Sequence, residues 1–103
     1  MSTQYQIVYW RDIPAQVKVR HGSSRVNRQL TARFQEAIDE AAMRGQATGT
    51  DEYLAEWRSS EWQVSEEDPE ALADALAAQL EAEYTPERLR ALKINQGYES
   101  QVE

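Results

Sequence analysis

The sequence predicts an α+β domain: an N-terminal β-hairpin extended to a small antiparallel sheet of about three strands, with three to four helices packed on one face. Three observations predict it. Apolar and aromatic residues alternate at period two near the N-terminus, and from Arg25 onward they recur at three- and four-residue steps. The second half then carries two cap-Pro-Glu helix starts. At 103 residues the chain has the length of one domain with one modest core. We assign residues 1–97 to that domain and 98–103, "YESQVE", to a loose C-terminal tail.

The first strand is "YQIVYW", in which Tyr5, Ile7 and Tyr9 share one face and Gln6, Val8 and Trp10 the other. "RDIPA" interrupts the pattern, and Pro14, which lacks an amide donor, suits a hairpin loop there. "QVKVR" resumes it, with Val17 and Val19 facing in and Lys18 and Arg20 facing out. "HGSS" ends that strand. Val26, Leu30, Phe34, Ile38, Ala41 and Ala42 then predict an amphipathic helix over Arg25–Arg44, stopped by Gly45 in a left-handed conformation. Thr48 or Thr50 can cap a short helix, "DEYLAEW", whose Tyr53, Leu54 and Trp57 share a face. Trp62 and Val64 alternate with Glu61, Gln63 and Ser65, which predicts a third short strand. Asp68-Pro69-Glu70 opens the next helix, with Leu72, Leu76, Leu80 and Tyr84 in line. Thr85-Pro86-Glu87 opens the last one, which buries Leu89 and Leu92 and ends at Gly97.

Composition excludes several chemistries. The chain has no cysteine and one histidine, which removes disulfides, thiolate catalysis and Cys- or His-rich metal centres. No cofactor is expected. No apolar run approaches the ~20 residues of a membrane span, and "MSTQYQ" does not read as a signal peptide, so a cytoplasmic address is expected. The net charge of −7 is unevenly spread. Residues 1–35 carry Arg11, Lys18, Arg20, Arg25, Arg28 and Arg33 against Asp12 alone, a net +5, whereas the remainder holds 5 basic and 17 acidic groups, a net −12. The preferred reading is that the two halves face each other and neutralise.

Catalysis receives little support. His21 lies beside Ser23 and Ser24 in a turn, and adjacency of this kind does not create a nucleophile–base pair. The carboxylates of "EWQVSEEDPE" read as a solvated run with a helix cap, and no phosphate-cradling glycine loop is present. Protein binding fits best. If Tyr5 and Ile7 join the valine face under the helices, Trp10 points outward among Lys18 and Arg20, and an aromatic among cations suits an interface. The candidate interaction residues are therefore Tyr9, Trp10, Arg11, Asp12, Lys18 and Arg20. Trp57 and Trp62 are expected in the core. An alternative is a small-ligand site or weak enzyme, with a pocket between the hairpin and the first helix to which Tyr9, Arg11 and Asp12 contribute. Nucleic-acid binding through the basic third ranks lower, because the domain as a whole is acidic.

"YWRDIPAQV", "RQLTARFQEAIDEAAMR" and "TDEYLAEW" together resemble the small bacterial proteins grouped as "virulence factor", a domain also similar to one in the conserved virulence factor C proteins. There it lies beside a module resembling a NifU-like scaffold and helical repeats. The resemblance is strongest over Tyr5–Trp57 and looser through "RLRALKINQGYE". It implies no catalytic or cofactor residues. Stand-alone relatives accompany corrinoid- and folate-dependent methyl-transfer proteins, which implies an accessory role with a protein partner. The sheet edge leaves a monomer and a homodimer both open.

Overall fold

A computed structural model describes residues 2–47 and 49–99. The chain runs β1 (Thr3–Trp10), β2 (Ile13–His21), β3 (Ser24–Gln29), α1 (Ala32–Arg44), α2 (Thr50–Ala55), β4 (Trp57–Ser59), β5 (Gln63–Ser65), α3 (Pro69–Glu83) and α4 (Pro86–Ile94). This is an α+β domain, with a five-stranded antiparallel sheet and four helices among the described residues. No described helix is long and apolar enough to cross a membrane.

The sheet order is β3-β2-β1-β4, with β5 on the same strand β1. β1 pairs β2 so that Tyr5 opposes Val19 and Ile7 opposes Val17, the match that alternation predicts. Beyond Val8 the register shifts, and Tyr9 opposes Pro14 while Trp10 opposes Ile13. Ala15 is the extra residue of this bulge. Pro14 is therefore inside β2 rather than in a loop. The ladder is already irregular at that point and β3 pairs only as far as Gln16, so a missing donor is tolerated.

On the other side of β1, β4 covers Val8–Trp10 and β5 covers Thr3–Tyr5. Ser60 fills the break: its N–H donates to the Ile7 carbonyl, its hydroxyl oxygen accepts the Ile7 N–H, and its carbonyl accepts the Gln6 side-chain amide at 2.8 Å. The strand expected near Trp62 is thus present as β5, and β4 is an addition to it.

Two helical expectations change. Residues 24–29 pair with β2 instead of opening a helix, closed by a turn in which Gly22 has φ +60°. The misleading spacing was Val26–Leu30–Phe34, because steps of four are even and also satisfy a strand's alternation. The helix proper begins at Ala32 and buries Phe34, Ala37, Ile38, Ala41 and Ala42. α2 ends at Ala55 and Trp57 belongs to β4; Trp57 still packs on Tyr53, whereas Leu54 is exposed and does not share their face. Gly49, not Thr50, holds its N-cap position, and Thr48 lies outside the described residues.

The core joins Val17, Val19 and Ile13 of the sheet to Phe34 and Ile38 of α1, and to Leu72, Leu80, Leu89 and Leu92 of α3 and α4. The N-terminus of α1 is anchored by Glu81 of α3, which accepts the Thr31 amide at 2.6 Å and the Thr31 hydroxyl at 2.9 Å. Burial opposes ionisation of Glu81, yet these bonds and Arg33 outweigh it and hold the carboxyl below its usual range. Asp68 and Thr85 cap α3 and α4 by accepting the amides of Ala71 and Arg88. Asp68→Ala and Thr85→Ala should each lower stability by about 1 kcal/mol. Urea unfolding would read this as a shifted midpoint at unchanged slope.

Candidate functional site

The "YWRDIP" stretch closes the β1–β2 hairpin with a two-residue loop, Arg11–Asp12. Arg11 has φ +53°, a conformation for which hairpin loops usually recruit glycine or asparagine. Side-chain contacts account for an arginine there. Its Nη1 donates to the Gln96 carbonyl at 2.7 Å, and its Nε lies 3.2 Å from the Glu56 carboxylate. That second approach is an ion pair without hydrogen-bond alignment, so the buried Nε–H has no hydrogen-bond acceptor among the described residues. The guanidinium is also sandwiched between rings, 4.7 Å from Trp10 and 4.8 Å from Tyr98.

The backbone completes this clamp. Arg11 N–H donates to the Glu56 carbonyl and Asp12 N–H to the Gly97 carbonyl, while the Asp12 carboxylate accepts from Glu99 N–H at 2.8 Å. Arg58 donates to the Arg11 carbonyl at 3.0 Å and to Asp12 at 3.2 Å. Two glycines make room. A Cβ on Gly45 would sit 2.9 Å from Arg11 Nη1, and one on Gly97 (φ +93°) would sit 3.0 Å from Trp10 Cζ3. Gly45 itself has φ −90°; the left-handed residue after α1 is Gln46. Gly45 is therefore required by close approach rather than by helix termination.

The expected outward Trp10 is fully buried. Its indole N–H donates to the Tyr53 carbonyl at 2.9 Å, and its ring stacks on Tyr53 at 5.7 Å. Alternation left this side of the sheet bare, but α2 and the segment after α4 wrap the end of β1. Tyr98 and Glu99, expected to open a loose tail, are docked on Arg11, Asp12 and Arg88. Residues 100–103 of that expected tail lie outside the described residues.

Of the candidate residues, the structure brings Tyr9, Trp10, Arg11 and Asp12 together and leaves Lys18 and Arg20 apart. Lys18 is five strand residues beyond Ile13, about 17 Å at strand spacing. Arg20 donates to Gln4 and lies 3.8 Å over Trp62, which is half-buried, as is Trp57. Glu56, Arg58 and residues 96–99 were missed, because nothing in their local sequence marks a partner at Arg11. His21 pairs with the Thr3 hydroxyl at 3.0 Å. No group of three or more His, Cys, Asp or Glu among the described residues is placed to hold a metal. A pocket of about 330 Å³ does lie between the hairpin and the start of α1, but Tyr9, Arg11 and Asp12 do not line it.

Tyr9 is half-buried under Arg58, and Tyr84 is buried against Phe34 and Arg88. Burial pushes the Tyr84 phenol up to about 12 against the opposing pull of Arg88, and burial likewise raises Tyr9 against Arg58.

The fold and clamp define an α+β domain organised around one hairpin loop. A family model described as "Virulence factor" matches residues 8–92, and the chain belongs to that family. No curated protein and no solved structure matches the chain significantly.

Two outcomes follow from the clamp's geometry. Trp10→Phe keeps most of the buried volume but removes the shorter of two hydrogen bonds to the Tyr53 carbonyl, leaving the one from Glu56 N–H, and should cost about 0.5–1.5 kcal/mol in chemical unfolding. Tyr84 has a folded pKa above the unfolded value of about 10, so its contribution to stability is complete below pH 10 and fades as pH rises toward 12. A phenolate absorbance titration should show two of the five tyrosines ionising late, with stability falling across that range.

Proposed function

We propose that this chain is a non-catalytic protein-binding domain whose docking surface is the pole around Arg11. The observation that carries this reading concerns the large exposed hydrophobics among the described residues: Met43, Leu54, Val64, Ile94 and Tyr98. Four of these five lie within two residues of a contact to Arg11. Met43 precedes Gly45, Leu54 precedes Glu56, Ile94 precedes Gln96, and Tyr98 stacks on the guanidinium itself. Single exposed apolar residues are ordinary on a monomer; four that border the contacts of one side chain support a docking surface at this pole.

The reading keeps the hairpin as the organiser of the contact but moves the contact itself. Trp10 and Arg11 hold the segments in place from within, and Met43, Leu54, Ile94 and Tyr98 meet the partner. The accessory role implied by the family resemblance would make that partner a component of a methyl-transfer or cofactor-assembly system. Three of the six N-terminal cations, Arg11, Arg28 and Arg33, are ion-paired with acidic groups of the second half, which weighs against a polyanion surface.

Capture from native cell extract tests the proposal, with wild type compared against Met43→Glu/Ile94→Glu. Wild type should retain a discrete partner at low and high salt, and the variant should lose it at an unchanged melting temperature. Equal capture by the variant overturns the proposed surface. Steep loss of wild-type binding with salt would instead favour a nucleic-acid partner.

A further inference from the structure

A different part of the molecule has the composition of a ligand site. The 330 Å³ pocket lies where the start of β2 meets the end of β3 and the beginning of α1. Three glutamines, Gln16, Gln29 and Gln35, and one tryptophan, Trp57, give it its character. Ala15, Leu30 and Ala32 complete the lining, so no ionisable side chain takes part.

The amides are placed for a ligand. Gln16 and Gln29 oppose each other across the β2–β3 ladder, and neither side chain has a hydrogen-bond partner among the described residues. Each thus offers one acceptor and one two-hydrogen donor. Gln35 spends its donors on Asp39 at 2.9 Å and the Tyr53 hydroxyl at 3.3 Å, which leaves its carbonyl as an acceptor. A glutamine amide matches a ring that carries a donor beside an acceptor, the pattern of a nucleobase edge.

The ring is held as well. Trp57 opposes Trp10 across the β1–β4 pair and meets Tyr53 edge-on at 6.0 Å, and Tyr53 in turn stacks on Trp10. Half-buried and braced from behind, it is a pre-organised stacking surface.

No ionisable side chain lines the pocket, so a phosphate has no charged partner within it. Arg28 is engaged by Glu70 and Asp74, and Arg33 by Glu81 and the Tyr84 carbonyl, while Lys18 stands two residues along β2 from Gln16, about 7 Å away at strand spacing. The α1 N-terminus, which would otherwise attract an anion, already holds the Glu81 carboxylate. The volume is at the small end for ligand pockets and suits a ring system rather than a full nucleotide.

We propose that the Gln16–Gln29–Gln35–Trp57 pocket binds a small neutral ligand with a flat hydrogen-bonding ring, a free nucleobase or nucleoside. The test is an NMR titration of the full chain with adenosine, guanosine and adenosine monophosphate, following the Trp57 indole and the glutamine side-chain amides. At least one nucleoside should give saturable shifts there with a Kd of about 1 mM or tighter, and the monophosphate should bind severalfold more weakly than adenosine. Gln16→Ala/Gln29→Ala should weaken binding about tenfold while leaving backbone resonances elsewhere in place, and Trp57→Leu should do the same if the double variant fails to fold. Absence of saturable shifts with both nucleosides, shifts confined to other surfaces, tighter binding of the monophosphate, or unchanged affinity in the folded variant would each overturn the proposal.

Discussion

The guanidinium of Arg11 is the contact on which the rest of the molecule depends. A two-residue hairpin loop with a non-glycine residue at positive φ carries backbone strain on the order of 1–2 kcal/mol. That strain is offset because the side chain engages Gln96, Glu56, Trp10 and Tyr98 at once. These residues come from the sheet, the residue that ends α2 and the segment after α4, which are distant in sequence. Removing the guanidinium would leave Glu56 without its cation and Tyr98 without its stacking partner. Gly45 and Gly97 extend the same constraint, since each owes its missing side chain to Trp10 or Arg11.

Charge distribution follows the same plan on a larger scale. The basic first third and the acidic remainder fold onto each other, through Arg28 to Glu70 and Asp74, Arg33 to Glu81, and Arg11 to Glu56. Most of these pairs are partly solvated and individually worth little. Their value is in register: Arg28 ties the edge strand β3 to α3, and Glu81 ties α3 to the start of α1.

Much of this was legible in the sequence. The shared face of Tyr5, Ile7, Val17 and Val19, the α3 and α4 caps, and the strand near Trp62 follow from local pattern alone. The errors share one origin, which is that local pattern is silent about what covers a surface. Trp10 had the parity of an outward residue and was buried by α2 and by residues 96–99. Val26 fitted a helix and a strand equally, and only the open edge of β2 decided between them. Of the candidate residues, Tyr9, Trp10, Arg11 and Asp12 lie together because they are contiguous in the chain. Lys18 and Arg20 shared a charge sign with it and nothing else.

A double-mutant cycle between Arg11→Met and truncation after Gly97 tests the central claim most directly. If Arg11 acts by holding the C-terminal segment against the hairpin, its loss should cost much less once that segment is gone, with a coupling energy of about 1 kcal/mol or more in chemical unfolding. Additivity within about 0.5 kcal/mol would show that the two act independently and would contradict the account.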